Sequence, residues 1–277
     1  MKFFKYHKLI VLMALSLSLI AQQTPPVPAA QRKEQIPYGL PKTSKTLTVI
    51  GRKTYVVGVD KIAKLPAWAS YTLTSKQALG CYKRSNSFAP DQSFNKGERA
   101  EMIDYAKSGY DIGHMVPCGD QSFDEDSEKE SFLLTNMAPQ RANLNRGLWK
   151  KLETYVRGWS WKRGHTLQVY VGPIYDKSKI TIGPNKVVVP HAFFKVVTDM
   201  QTKETVAFIF PHRDGLNSLE EVQTTVLEIE KETGIKFPIA LEVNKKTKPK
   251  IEDIDQGALR DAKRANCKNW SPEDDEE

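Results

Sequence analysis

Apolar positions along the chain follow two periods. Short stretches rich in β-branched and aromatic residues, bounded by Gly, Pro or Asp, occur at 47–50, 55–59 and 68–73, and again at 167–171, 186–189, 193–197 and 206–210. They read as strands of one sheet. In 145–159 the apolar residues Leu148, Trp149, Leu152, Tyr155, Val156 and Trp159 recur at three- and four-residue steps, which predicts a helix. A second helix is predicted over 219–233. Ser218 and Glu221 have capping-box spacing at its start, and Gly234 follows its end. Strands and helices do not strictly alternate, which disfavours a doubly wound parallel sheet. An α+β domain with a largely antiparallel central sheet flanked by helices fits the order better.

The two ends differ from this middle. Lys2, Lys5 and Lys8 precede an uncharged apolar run of 13 residues, 9–21. That is short of the ~20 residues a spanning helix needs. Residues 1–21 therefore read as a secretory signal peptide, with an uncleaved anchor as the alternative. Export implies a periplasmic or secreted protein with no stable membrane association after cleavage. Residues 22–35 are polar and Pro-rich and read as a disordered linker. One domain is expected over 36–244. Past Asn244 the chain turns Lys-rich and then acidic, a charged C-terminal tail over 245–277.

Composition narrows the class without naming it. The 277 residues are 40% apolar and 27% charged, with 16 Gly and 16 Pro, which excludes collagen, low-complexity and wholly disordered chains. The formal charge is +8. Loss of residues 1–21 removes three lysines and no acid, leaving +5. That balance suits a polyanionic partner without requiring one. Export would place Cys81, Cys118 and Cys267 in an oxidising compartment, where one bridge and one leftover thiol are possible. Cys81–Cys118 is the preferred pair, because both flank the segments with candidate chemistry.

Chemistry concentrates in two clusters. His114 follows Gly113 in Asp111-Ile112-Gly113-His114 and precedes Pro117, a setting for either a buried structural histidine or a base. His165, His191 and His212 sit beside predicted strands and read as sheet histidines. Asn145 and Glu153 are eight residues apart, which on a helix is about 80° of rotation and roughly 12 Å of rise. Both can face one side, and the glutamate leans back toward the helix start. Such a sparse set of hard oxygens suits Mg2+, which keeps several waters. The alternative makes Asn145 a helix cap and Glu153 a solvated charge.

Together these clusters resemble the DNA/RNA non-specific endonucleases, the ββα-metal or His-Me finger nucleases. Asp111-Ile112-Gly113-His114 matches their Asp-Arg-Gly-His motif in three of four positions. Thr135-Asn136-Met137-Ala138-Pro139-Gln140 matches the second motif, and 145–153 (NRGLWKKLE) the third. The resemblance implies a ββα-metal active-site core and metal-dependent hydrolysis of DNA and RNA to 5′-phosphate and 3′-hydroxyl ends. It implies His114 as general base and Asn145 as ligand of Mg2+, with Mn2+ as a substitute. Glu153 would act through metal-bound water. Asn136 would position the base or the phosphate environment, Arg84 would neutralise phosphate, and Arg146 would be a further phosphate contact. Ile112 departs from the pattern by removing a cation. That departure leaves a non-catalytic nucleic-acid-binding relative, or a phosphodiesterase for small nucleotides, as alternatives. A homodimer and any inhibitor protein stay open.

Overall fold

The structure, a computed structural model, describes residues 25–240, 242–268 and 270–271. The segment read as a signal peptide lies outside the described residues. The chain runs through β1 (Val27–Pro28), β2 (Lys42–Thr43), β3 (Thr48–Gly51), β4 (Tyr55–Asp60) and β5 (Leu65–Leu73). Then come α1 (Met102–Tyr105), β6 (Asp111–His114), α2 (Cys118–Gln121), α3 (Glu125–Ser131) and β7 (Met137–Gln140). Leu144–Trp149 is a helical turn kinked at Gly147 (φ −102°, ψ −114°), so the helix expected over 145–159 is broken before α4 (Lys150–Arg163). The remainder is β8 (Leu167–Ile174), β9 (Thr181–Ile182), β10 (Val187–Val188), β11 (Ala192–Asp199), β12 (Thr205–Pro211), α5 (Leu219–Val222), β13 (Gln223–Thr224), α6 (Val226–Thr233), β14 (Ile235–Lys236) and α7 (Gln256–Asn266).

Eight strands form the main sheet in the order β1-β3-β4-β5-β8-β11-β12-β13. Its neighbouring strands pair antiparallel throughout. This is the α+β class that the order of elements suggests. Strands β8 and β11 are buried at every position, so both faces of the sheet are covered. On one face the Tyr71 hydroxyl donates to Asp120 Oδ2 of α2 at 2.6 Å, and the Tyr55 hydroxyl donates to the Glu130 carbonyl of α3 at 3.0 Å. Trp149 stacks there on Phe193 and Phe210, with centroids 5.6 and 5.2 Å apart. On the other face Phe194 and Tyr170 pack on Phe237, with centroids at 5.2 and 5.5 Å. Each such buried phenylalanine contributes about 1.5–3 kcal/mol, and the aromatic seat under Trp149 fixes where α4 begins.

Several expectations are corrected. Within 25–35 the chain is not a disordered linker. Val27 pairs with Gly51, and the Gln35 carbonyl accepts from Ser70 Oγ at 2.6 Å. A polar segment is held here by its backbone, which hydrophobicity does not reveal. The 186–189 stretch leaves the main sheet: Val187–Val188 pairs only with β9. The helix predicted over 219–233 is two helices. Gln223–Thr224 pairs with β12 instead, and Thr225 caps the second helix by accepting from the Glu228 N–H. Ser218 caps the first, and Gly234, at φ 66°, ends the second as predicted.

The C-terminal region is also more than a charged tail. Asp255 caps α7, accepting from the Ala258 N–H at 3.0 Å. The disulfide joins Cys81 to Cys267, not to Cys118, which is a buried thiol. Gly158, inside α4, permits the close approach of this region. A Cβ there would lie 2.2 Å from Ile254 Cγ2. Glycine inside a helix costs about 1 kcal/mol relative to alanine, so the close contact explains its presence.

Candidate active site

Strands β6 and β7 form a separate hairpin in which Asp111 pairs with Gln140 and His114 with Met137. A Cβ on Gly113 would lie 2.1 Å from Gln140 Oε1, so only glycine lets the two strands close at this register. Asn136 clamps the chain just beyond His114. Its Oδ1 accepts from the Val116 N–H at 2.9 Å, and its Nδ2 donates to the carbonyls of Val116 (2.9 Å) and Ser131 (2.8 Å). The amide is spent on backbone. Asn136, expected to position the base or the phosphate environment, holds the backbone just beyond the strand that carries the histidine.

His114 is 1% exposed. Its ring meets Phe132 edge-on at 4.8 Å and leans on Phe88 at 5.6 Å. Burial, and secondarily the Arg84 cation, hold its pKa well below 6.5, so the ring is neutral at pH 7. Its Nε2 is shut away from solvent without a hydrogen-bond partner among the described residues. Arg84 shares the same aromatic wall: its guanidinium lies 5.0 Å from the Phe132 centroid. Its Nε donates to Asn86 Oδ1 at 2.7 Å, and its Nη1 lies 3.0 Å from Cys118 Sγ. The loose sequence spacing between Arg84 and the first motif is thus bridged by Phe132. Ile112, two residues before His114 and on the same strand face, is half-buried and packs against the core.

Asn145 sits in the turn just before the kink at Gly147 and is buried. Its Nδ2 donates to Asp111 Oδ2 at 3.1 Å. Its Oδ1 is buried and has no hydrogen-bond partner among the described residues. Arg146, mostly exposed, holds Asp111 through Nε (2.9 Å) and Nη2 (2.8 Å). Upstream, His212 anchors the approach to this turn. Its Nε2 accepts from the Arg141 N–H at 2.7 Å, and its Nδ1 faces the Pro190 carbonyl at 2.6 Å. The Arg141 carbonyl in turn accepts from the Asn145 N–H at 2.9 Å. His165 Nδ1 lies 2.8 Å from Asp199 Oδ2 and takes no part in the site.

Glu153 lies in the first turn of α4, 2% exposed, with Lys195 Nζ 3.7 Å from its Oε1. Lys195 is wholly buried in β11, and its ammonium lies 4.6 Å from the Trp149 ring centroid. Sequence reading missed this lysine. Its signal is a cation in the middle of an otherwise apolar strand (FFKVV), where a buried charge needs a partner.

The residues present suit a divalent cation. Among the described residues no group of three or more His, Cys, Asp or Glu could hold a metal. The orphaned acceptor is the Asn145 amide oxygen, a hard ligand, and the buried Gln140 amide beside Gly113 also has both ends unpartnered among the described residues. One amide oxygen with waters is the donor set that Mg2+ tolerates best. A cleft of about 330 Å3, lined by Tyr110, Arg141 and Asn143 among others, opens beside this turn. Asp111, three residues before His114 on β6, thus holds both Asn145 and Arg146, while Asn136 holds the backbone just after His114. Glu153 lies beyond the kink at Gly147, on α4.

Comparison with known proteins bears on the family and the fold. The family model for DNA/RNA non-specific endonucleases matches residues 34–244. A mitochondrial nuclease EXOG of Danio rerio is 32% identical over 206 residues, covering 68% of this chain and 60% of its own length. Nuclease C1 of Cunninghamella echinulata is 28% identical over 225 residues, covering 75% of this chain and 88% of its own. A crystal structure of EndoG in complex with EndoGI superposes with a TM-score of 0.70 at 25% identity, covering 79% of this chain and 97% of that one. The chain thus spans about 60% of the length of the zebrafish relative. By its motifs, its fold and the extent of these matches, the chain belongs to the DNA/RNA non-specific endonuclease family.

Proposed function

We propose that the protein is an exported, Mg2+-dependent endonuclease that hydrolyses phosphodiester bonds of DNA and RNA. The observation that carries this reading is a pair of buried polar atoms with no hydrogen-bond partner among the described residues, Nε2 of His114 and Oδ1 of Asn145. Groups of this kind are costly unless a ligand or water satisfies them. A cation bound at Asn145 would neutralise charge on the scissile phosphate and assist the leaving O3′. His114, neutral at pH 7, accepts the proton of the attacking water. Glu153 orients water near the amide, and Arg84 lies close enough to His114 to meet phosphate charge. Contacts to phosphate rather than base edges give little sequence preference. The Cys81–Cys267 bridge supports an oxidising compartment. The relatives are named as nucleases, some of them mitochondrial.

A plasmid-nicking assay with Mg2+, Mn2+ or EDTA tests the reading. Cleavage that needs the metal, and that His114→Ala and Asn145→Ala each abolish, is the expected result. Failure to cut any DNA or RNA would refute it.

A further inference from the structure

Asp111 of β6 pairs with Gln140 of β7, and one step further along the same antiparallel register Tyr110 comes opposite Arg141. Both line the cleft of about 330 Å3 beside the Asn145 turn, together with Ala142, Asn143 and Asp214. That volume is within the range of small-ligand sites. The wall offers an aromatic ring, a guanidinium, an amide and a carboxylate. Arg141 Nη1 lies 4.0 Å from Asp214 Oδ2, and the two side chains are 49% and 53% exposed. A carboxylate on the wall makes the cleft a poor seat for a phosphate, which it would repel. A flat, uncharged heterocycle with donors and acceptors along its edge suits all four groups.

The parts of the cleft are held in place. His212 grips Arg141 twice: its Nε2 accepts from the Arg141 N–H at 2.7 Å, and its carbonyl accepts from Arg141 Nε at 3.2 Å. The half-buried Tyr110 ring leans on the same imidazole, with centroids 5.7 Å apart and a 45° tilt. The turn before Tyr110 is set by Gly109, at φ 80°, and by Ser108 Oγ, which accepts from the Tyr110 N–H at 3.2 Å. Both segments then lead to the candidate metal ligand. Tyr110 is peptide-bonded to Asp111, whose carboxylate holds the Asn145 amide. The Arg141 carbonyl accepts from the Asn145 N–H at 2.9 Å. A group seated between Tyr110 and Arg141 is therefore the neighbour of whatever Asn145 holds.

We propose that this cleft takes the base of the nucleotide next to the scissile phosphate, turned out of its stack and laid against Tyr110. The proposal rests on the nuclease reading for the phosphate at Asn145. Every base has a π face, so contact with Tyr110 tolerates any sequence. It does not tolerate any strand form. A base paired in a duplex has to be unstacked and unpaired first, a cost absent in a single strand. Asn143 presents both a donor and an acceptor to the base edge, and Asp214 an acceptor. Single-stranded DNA and RNA are the substrates this arrangement favours.

The test is equilibrium binding of a fluorescein-labelled single-stranded 12-mer to the full chain in EDTA, so that it does not depend on cleavage. Tyr110→Ala should weaken binding about 5–100-fold, the loss of one base–aromatic stack. Tyr110→Phe keeps the ring and should bind as the unaltered chain does. Ala142→Leu narrows the cleft without touching the ring and should weaken binding as well. On a 12-mer of abasic residues, and on the same sequence as a duplex, Tyr110→Ala and Ala142→Leu should each lose less than about twofold, since no base is there to stack. Equal losses on the abasic strand or on the duplex would overturn the proposal, as would full binding of the single strand by Tyr110→Ala. A free 5′-mononucleotide that binds as tightly as the 12-mer would overturn it in favour of a nucleotide site. A base-dependent Tyr110 effect in a protein that cuts nothing would sink the nuclease reading and leave the base contact standing. A chain that nicks plasmid but binds abasic and ordinary strands alike would do the reverse.

Discussion

Asp111 Oδ2 accepts from the Nδ2 of Asn145, and that single contact decides which way the Asn145 amide faces. With the nitrogen held, the oxygen turns to a side where it has no hydrogen-bond partner among the described residues. The same carboxylate holds the Arg146 guanidinium, so one aspartate orients both the amide and an exposed cation.

Asp111→Ala should therefore weaken metal dependence before it weakens chemistry. Loss of such a supporting contact typically costs about 10–100-fold in metal affinity. In a Mg2+ titration of cleavage, the half-saturating concentration should rise by that factor, and much of the rate should return at high Mg2+. An unchanged titration curve would separate Asp111 from the metal site.

His114 serves as a base only when unprotonated, and its pKa lies well below 6.5. The rate should stay flat from pH 8 down to 6.5 and fall only below that. Removing the Arg84 cation raises this pKa, so in Arg84→Gln the acid limb should move to higher pH, alongside any loss in affinity. His114→Ala should lower kcat about 10²–10⁴-fold. Stability follows the same ionisation. The folded-state pKa is depressed below the unfolded value, so the folded protein binds fewer protons between the two. The contribution is full above the unfolded pKa of ~6.5 and is lost as pH falls toward the folded pKa. Urea unfolding midpoints should decline over that window, and less steeply in His114→Phe.

Lys195 and Glu153 share a buried site, so breaking the pair should be costly. Lys195→Met leaves a carboxylate without its counter-charge, at about 3–5 kcal/mol. Adding Glu153→Gln should recover most of that. Denaturant curves for the two single variants and the double variant give the coupling directly, and simple additivity would argue against a shared site.

The Cys81–Cys267 bond closes a loop across a sequence separation of 186. Bridges typically contribute about 2–4 kcal/mol, so Cys267→Ser should lower Tm by several degrees. Amide exchange should accelerate most in α7, which hydrogen-exchange mass spectrometry would localise.

Legibility in the sequence tracked distance along the chain. The first and third motifs are each continuous, so His114 and Asn145 could be named from local chemistry and resemblance. The strands at 55–59, 167–171, 193–197 and 206–210 were legible for the same reason, as compact apolar runs. What escaped was long-range. Lys195 meets Glu153 across 42 residues, and the Phe88 and Phe132 rings that lie against both Arg84 and His114 come from separate segments. The 25–35 segment is ordered by Ser70 and Gly51, which its own composition does not announce. Asn136 was singled out by its motif, and its partners, the backbone of Val116 and Ser131, come from outside that motif.

Cys81 stands three residues before Arg84, while Cys267 follows directly on the helix that carries Arg260. One covalent bond thus tethers two separate cations, one beside the imidazole and one on the far flank of α4. A thiol-rich environment would slacken both tethers together. The seating of Arg84 beside His114 then depends on a residue near the opposite end of the chain.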